Sequence, residues 1–225
     1  AIAREIGDRR GEGADLGNLG GAYYALGDAR KAIDYYEQYL AITREIGDRR
    51  GESSALGNLG LAYADLGDAR KAIDYYEQAL AIAREIGDRR GEGADLGNLG
   101  LACSALGDVR KAIEYYEQAL AISREIGDRR NEGVWLGNLG LAYAALGDAR
   151  KAIDYYEQRL IIAREIGDRR GEKYACWNLG LEYENAGDLK RATEMMQICV
   201  DYEKEIGHPD AEKDAKRMEV LMAKS

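Results

Sequence analysis

The strongest constraint in this sequence is an internal repeat of 40 residues. The string GDRR recurs every 40 residues from Gly7 to Gly167, and residues 47–86 and 87–126 are identical at 31 of 40 positions. Periods of this length are typical of solenoid proteins, in which each unit buries its apolar side against its neighbours. The chain is therefore expected to be a linear array of similar units.

Each unit carries two segments with helical periodicity. In the second copy, apolar residues recur at spacings of three and four near 50–66 and, over a longer stretch, near 69–86. A Gly-Asp pair follows each segment, and the aspartate is placed to cap the next helix. No segment shows the alternation typical of a strand. The pattern predicts an all-α chain of helical hairpins, each with a shorter first helix and a longer second helix.

The 28 glycines need an explanation, because an interior glycine costs a helix about 1 kcal/mol. The repeat divides them into three positional roles. Gly67 and Gly87 are expected to end helices. Gly60 and its equivalents lie where paired helices should approach closely, and Gly57 and its equivalents remove side chains from the exposed surface of the first helix.

Composition excludes several classes of protein. The formal charge of −9 argues against nucleic-acid or anionic-membrane binding, both of which need a basic surface. The sequence has no apolar run of about 18 residues, as a transmembrane helix would require. His208 is the only histidine, which leaves most acid–base schemes without their commonest residue. We therefore expect no catalytic site, no nucleic-acid partner and no membrane partner.

No cofactor or metal site is expected either. Cys103, Cys176 and Cys199 fall on packed columns and lack the spacing of metal ligands, so they are interpreted as inert core residues of a protein in a reducing, cytoplasmic compartment. The glycines of segment 11–17 resemble a phosphate loop, but no strand precedes them and they lie within a predicted helix.

The residues of each unit resemble the tetratricopeptide repeat. The second copy contains LGNLGLAY at 56–63, KAI at 71–73 and YYEQAL at 75–80. Leu59-Gly60 and Tyr63 match the family pattern, and Tyr76 stands for its phenylalanine, whereas the terminal proline is missing. The 40-residue variety is similar to the repeats of Pins-type adaptors, kinesin light chains and many bacterial arrays. The resemblance implies a right-handed α-solenoid that acts as a non-enzymatic protein-interaction scaffold.

The repeat also predicts the domain organisation. Residues 1–7 are identical to 81–87, so the chain is expected to begin with the end of a truncated repeat whose exposed face favours weak end-to-end self-association. At the other end, Lys216 and Glu219 replace apolar residues, as a solvent-facing cap requires. The expected single array comprises a truncated repeat at 1–6, five repeats at 7–46, 47–86, 87–126, 127–166 and 167–206, and a C-terminal capping helix at 207–225.

Two recurring motifs have structural interpretations. The Asp-Arg-Arg turns could bind phosphate or an acidic partner, but capping by aspartate and screening of nearby glutamates by arginine explain them more simply. In each tyrosine pair, such as Tyr75-Tyr76, the second residue is expected in the core and the first between neighbouring hairpins.

The candidate site is a column of asparagines on the first helices. In the resembled family these helices line a concave groove, where asparagine can hold the backbone of a bound peptide; the alternative is that each asparagine bonds within its own repeat stack. Apolar residues flank the column. The expected groove residues are Asn18, Asn58, Asn98, Asn138, Asn178, Leu61, Leu101, Leu141, Tyr174, Trp177 and Leu181.

The sequence leaves three functional hypotheses. The first is a scaffold that binds a peptide or helical segment of a partner in its groove. The second is a sensor or autoinhibitory arm of a larger signalling protein such as a bacterial ATPase, and the third is a self-associating structural spacer.

Overall fold

A computed structural model describes residues 7–223, which form eleven α-helices and no strand. The helices are α1 (Arg9–Ala25), α2 (Ala29–Glu45), α3 (Arg49–Asp65), α4 (Ala69–Glu85), α5 (Arg89–Ala105), α6 (Val109–Glu125), α7 (Arg129–Ala145), α8 (Ala149–Glu165), α9 (Arg169–Asn185), α10 (Leu189–Glu205) and α11 (Ala211–Met222). They pack as consecutive hairpins, which confirms the predicted fold class of stacked helical hairpins.

The two helices of a hairpin are equal in length, which corrects one expectation. Both α3 and α4 have 17 residues, so the prediction of a shorter first and a longer second helix is wrong. The reason is visible in the sequence. A Gly-Asp pair recurs every 20 residues, at 47–48, 67–68 and 87–88, and each pair ends one helix and begins the next.

The Gly-Asp pair works through two local interactions. Gly67 takes a positive φ of 78°, which a residue with a side chain rarely adopts, and the backbone N–H of Asp68 then donates to the Tyr63 carbonyl at 2.9 Å. The Asp68 side chain accepts from the backbone N–H of Lys71 at 3.1 Å and so caps α4. The same geometry repeats along the described chain.

The helices form two compact units, one up to Ile122 and one from Ser123 onward. In the first unit, a buried cluster joins α2, α3 and α4 and includes Tyr36, Leu56 and Leu59. In the second unit, Tyr156 and Leu179 lie in a similar cluster that joins α8, α9 and α10. In each cluster, the apolar side of one hairpin is buried by the next, as the repeat period predicted.

A close contact between glycine and tyrosine fixes each hairpin. A β-carbon added to Gly60 on α3 would lie only 2.5 Å from Cε1 of Tyr76 on α4. The second tyrosine of the pair is thus a core residue, as predicted. The same contact joins Gly20 to Tyr36, Gly100 to Tyr116 and Gly140 to Tyr156. In the last hairpin Met196 takes the place of tyrosine against Gly180.

The first tyrosine of a pair stacks on an aromatic partner inside its own hairpin at Tyr35, Tyr75 and Tyr155, whereas the hairpin of Tyr115 carries Cys103 at the partner position. Tyr75 on α4 stacks on Tyr63 of α3 with ring centroids 5.3 Å apart, and the Lys71 ammonium lies 4.8 Å above the Tyr63 ring. The sequence analysis placed this tyrosine between neighbouring hairpins and did not predict the stack.

The double-arginine turns connect successive repeats. Arg44, at the end of α2, donates to Glu52 of the next hairpin at 2.8 Å, and Arg49 donates to the other oxygen of Glu52 at 2.6 Å. Burial works to raise the pKa of Glu52, but these two hydrogen bonds hold it below its usual value. Arg49 also pairs with Glu85. The first arginine of the turn therefore screens a buried carboxylate, as the structural interpretation expected.

The helix α11 covers the last hairpin. Met218 and Leu221 are buried against Met196, whereas Lys216 and Glu219 face solvent. The truncated repeat predicted for residues 1–6, and the self-association predicted through it, lie outside the described residues.

We predict that Gly60→Ala destabilises the protein by about 1–3 kcal/mol, because its methyl group would overlap the Tyr76 ring in a packed interior. The free energy of unfolding, measured by urea denaturation, tests this. The control is Gly57→Ala on the same helix, where an added methyl group meets only the Asp95 carboxylate at 3.7 Å. The control should gain up to about 1 kcal/mol from helix propensity. Equal effects of the two substitutions would contradict the proposed role of the contact.

Candidate functional site

The asparagine column lies on the first helix of each hairpin, with partial or full exposure of every member. In the first unit it comprises Asn18 on α1, Asn58 on α3 and Asn98 on α5. In the second unit Asn138 lies on α7 and Asn178 on α9. The opposite side of α3, α5, α7 and α9 is packed in the core, whereas on α1 only Gly13 and Gly20 are buried. The asparagines therefore face outward on helices whose position the core fixes.

Most of these asparagines keep their hydrogen-bonding groups available. Asn178 donates to the Tyr174 carbonyl of its own helix at 2.8 Å. The side chains of Asn18, Asn58, Asn98 and Asn138 make no hydrogen bond to the described residues. Bonding within the repeat stack, the alternative left open by the sequence, is thus seen only at Asn178. The other four side chains offer both a donor and an acceptor to a ligand.

Exposed leucines accompany the asparagines. Leu61, Leu101 and Leu141 follow their asparagines by three residues, which places them on the same helix face, and their exposed fractions are 36%, 47% and 49%. Tyr174 is 51% exposed at the start of α9. Each unit therefore presents apolar side chains next to unpaired amides, an arrangement suited to a peptide with alternating apolar and backbone contacts.

The helix α11 partly covers two of the predicted groove residues. Trp177 and Leu181 are half-buried and pack against the cluster formed by Met196, Met218 and Leu221. The Arg217 guanidinium of α11 lies 5.9 Å from the Trp177 ring. Trp177 and Leu181 thus pack first against α10 and α11, and only their remaining surface is available to a partner.

The glycines beside the asparagines do not leave the same space in every repeat. A β-carbon on Gly17 would meet the Tyr39 ring at 3.2 Å, whereas the space at Gly57 is nearly open. At Gly137 the guanidinium of Arg159 occupies the position that a β-carbon would take. The second helix therefore fills this surface differently from repeat to repeat.

Arg159 is the site residue that the sequence analysis missed. It lies on α8, where the second and third repeats carry Ala79 and Ala119. Its guanidinium is 5.6 Å from the ring centroid of Tyr174, and its Nε is buried without a hydrogen-bond partner among the described residues. A departure from alanine in nearly identical repeats was the signal that could have identified it.

The surroundings of Arg159 leave its charge poorly compensated. Burial lowers the pKa of its guanidinium, while the charge of Asp168 opposes that effect without a hydrogen bond between the two groups. Arg159 also lines a small pocket with Arg130, Val134 and Asp168. A guanidinium in such a position is stabilised by a carboxylate that approaches its open edge, because charge-assisted hydrogen bonds are stronger where water is excluded.

A buried carboxyl group lies beneath the same face in the first unit. Asp95 on α5 is only 7% exposed and packs beside Gly57 of α3. Burial, with a smaller contribution from the charge of Asp88, raises the pKa of Asp95 to about 7. The equivalent Asp15 on α1 is exposed. Asp95 thus changes its charge near neutral pH, which a typical aspartate does not.

The three cysteines are buried and unpaired with one another. Burial raises the pKa of Cys176 to about 11 and that of Cys199 to about 12, so both are thiols at neutral pH. The interpretation of the cysteines as core residues is confirmed. The glycines at positions 11–17 lie inside α1 and form no loop.

Comparison with known protein families gave two matches. The family model Tetratricopeptide repeat matches residues 12–85, 51–125 and 94–165, well over half of the chain. A second model, Anaphase-promoting complex subunit 5, matches residues 133–202. A search of curated proteins found no significant match.

Solved structures share the fold at low sequence identity. The nearly identical TPR-like repeats from Podosopora anserina, described as a kinesin light chain, align with 86% of this chain and 95% of theirs at 21% identity and a TM-score of 0.71. BtubC (BKLC) from P. vanneervenii aligns with 97% of this chain and 92% of its own at 23% identity and a TM-score of 0.74.

A third structure belongs to a much longer protein. The STAND protein PH0952 from Pyrococcus horikoshii, a signal transduction ATPase with a tetratricopeptide repeat sensor, aligns with 92% of this chain at 23% identity and a TM-score of 0.83. The alignment covers only 32% of the STAND chain. Among the described residues of this chain, no helix is long and apolar enough to cross a membrane.

The raised pKa of Asp95 predicts a specific pH dependence. Because the folded protein binds this proton more tightly than the unfolded chain does, the contribution of Asp95 to stability is complete below about pH 4 and is lost as pH rises through 7. Relative to Asp95→Asn, the wild-type free energy of unfolding should fall by up to about 4 kcal/mol between these limits.

Urea denaturation across this pH range tests the prediction. The control is Asp15→Asn, which changes the exposed equivalent on α1 and should follow the wild type at every pH. A constant difference between wild type and Asp95→Asn from pH 4 to 8 would rule out the proposed titration.

Proposed function

This chain belongs to the tetratricopeptide repeat family, and we propose that it is a non-enzymatic protein–protein interaction scaffold that binds a peptide or helical segment of a partner in a concave groove. Proteins of this family bind other proteins. The proposal assigns the contact surface to the exposed faces of the first helices, where asparagine recurs in all five repeats and leucine in four of them. It places the protein in the cytoplasm, where unpaired thiols are kept reduced.

The observation that carries the proposal is the set of unpaired, outward-facing asparagine amides. A helix interior disfavours asparagine relative to alanine or leucine, so the recurrence of asparagine is not explained by helix propensity. Asn58, Asn98 and Asn138 also make no hydrogen bond to the described residues that would give them a structural role. A side-chain amide can bond the N–H and the carbonyl of a bound backbone together, irrespective of the ligand sequence.

Selectivity is proposed to come from Arg159 and its neighbours. The chain as a whole is acidic, with a formal charge of −9, which disfavours an acidic partner. Arg159 offers a local exception next to the exposed ring of Tyr174. A segment that carries a carboxylate next to an apolar residue matches this pair, because the carboxylate can bond the guanidinium while the apolar residue packs on Tyr174 and Leu141.

A sensor arm is the second candidate function. The observation in its favour is the TM-score of 0.83 to the STAND ATPase that carries a tetratricopeptide repeat sensor. In that case the same groove would bind a signal or another part of the same polypeptide. An ATPase domain with a phosphate-binding loop encoded in the same reading frame would support this candidate, and a reading frame without one would contradict it.

We predict that Arg159→Ala weakens binding of carboxylate-containing peptides at least tenfold, because it removes the guanidinium that lies beside Tyr174 and Gly137. The peptides are selected from a randomised display library on the wild-type protein, and their affinities are measured by calorimetry. The matched control is Arg150→Ala, which removes an equal charge from an exposed position on the same helix and should leave the affinities unchanged.

The selection also tests the scaffold itself. The selected peptides should be enriched in aspartate or glutamate next to an apolar residue. The substitution Asn138→Ala should weaken their binding as well. Peptides without acidic enrichment would contradict the role of Arg159. Affinities that change in neither Arg159→Ala nor Asn138→Ala would contradict the proposal that the peptides bind in the groove.

A further inference from the structure

A second cluster of polar groups lies at the junction of α10 with α11, beside a pocket that Tyr174 and Trp177 of α9 also line. Cys199 and Glu203 are four residues apart on α10 and therefore share one helix face, and Asp214 on α11 faces them. The Cys199 sulfur and one carboxylate oxygen from each of Glu203 and Asp214 all lie within 4.8 Å of one another. Cys199 and Glu203 are buried, and Asp214 is half-buried.

Glu203 is the unusual member of the cluster. Its side chain is 1% exposed, and its Oε1 atom forms an ion pair with the Lys173 ammonium at 2.6 Å. Its Oε2 atom is buried and has no hydrogen-bond partner among the described residues. Leaving a buried charged oxygen unpaired is costly, because it has lost its water without gaining a donor. Glu203 therefore combines an oxygen without a donor and a close approach to a thiol and a second carboxyl group, an arrangement that a bound cation would satisfy.

We propose that Cys199, Glu203 and Asp214 bind a divalent transition-metal cation of the zinc type. The thiolate and the two carboxylates carry three negative charges, which the Lys173 ammonium and one divalent cation together would neutralise. Lys173 is thus compatible with the ion, because it pairs with Oε1 and leaves Oε2 for the metal. The site goes beyond the groove function and does not depend on it.

The geometry requires only a small adjustment. Zinc lies about 2.3 Å from sulfur and 2.0–2.2 Å from oxygen, so its ligand atoms are about 3.5 Å apart and the cluster must contract by about 1 Å. Asp214 can supply this movement, since it is half-buried and lines an open pocket. The fourth ligand is assigned to water from that pocket, because Nδ1 of His208 already accepts from the backbone of Asp210 at 3.2 Å.

The thiol selects the type of metal. Magnesium and calcium prefer oxygen ligands, whereas a thiolate favours zinc and related ions. The sequence analysis expected no metal site because it considered only the spacing among cysteines and histidines. The present ligands combine a single cysteine with carboxylates from two helices, and folding brings them together. A bound ion would hold α11 against α10 and thereby stabilise the cap.

Cobalt(II) is the probe for this site, because a cobalt–thiolate bond gives an intense charge-transfer absorption that oxygen ligands do not produce. The purified full chain, treated with chelator and reductant, is titrated with cobalt(II). We expect one equivalent to bind with this band, and zinc to displace it. Binding should tighten as pH rises, since the thiol must lose its proton. Zinc should also raise the melting temperature of the wild-type protein.

Two variants and a matched control make the test specific. Cys199→Ala should abolish the charge-transfer band, and Asp214→Asn should weaken cobalt binding at least tenfold. Cys176→Ala removes an equally buried thiol from α9 and should keep the band. Circular dichroism confirms that each variant is helical. The proposal is overturned if the folded wild-type protein shows no charge-transfer band at saturating cobalt, or if the band survives in Cys199→Ala.

Discussion

The architecture depends on one close contact, in which a tyrosine ring of the second helix lies directly against a glycine of the first. Any side chain at Gly60 would displace the Tyr76 ring, so the glycine sets the distance between the two helices. The ring covers the inner side of the first helix, and Leu56 and Leu59 pack beside it in the same core. The outer side of the first helix does not pack in this core, and the asparagines recur on that side.

The sequence predicted the elements that repeat. The Gly-Asp pairs determine where helices end and begin, and the apolar periodicity determines which side of each helix is buried. Equal helix lengths also follow from the 20-residue spacing of these pairs, although the longer apolar run of the second segment suggested otherwise. Tyr76 was assigned to the core from its period alone, and it is 2% exposed.

The sequence did not predict the chemistry that arises where the repeats differ. One column of the second helix holds Tyr39, Ala79, Ala119, Arg159 and Cys199 in successive repeats. Each side chain occupies a similar place on a common scaffold, so a change of residue changes the local surface without changing the fold. Arg159 fills the space at Gly137, and Cys199 meets Glu203 and Asp214. Contacts between side chains of different helices depend on the tertiary fold, so residue spacing along the chain does not predict them.

The central claim is that the unpaired asparagine amides of the first helices contact a bound peptide. Nuclear magnetic resonance of the side-chain amide groups tests it most directly, with a peptide selected on the wild-type protein. The account predicts that the side-chain amide of Asn138 shifts on binding, while that of Asn131 on the same helix, which donates to Asp128 at 3.0 Å outside the column, does not. Saturation with the peptide that leaves the Asn138 amide unshifted would contradict the account.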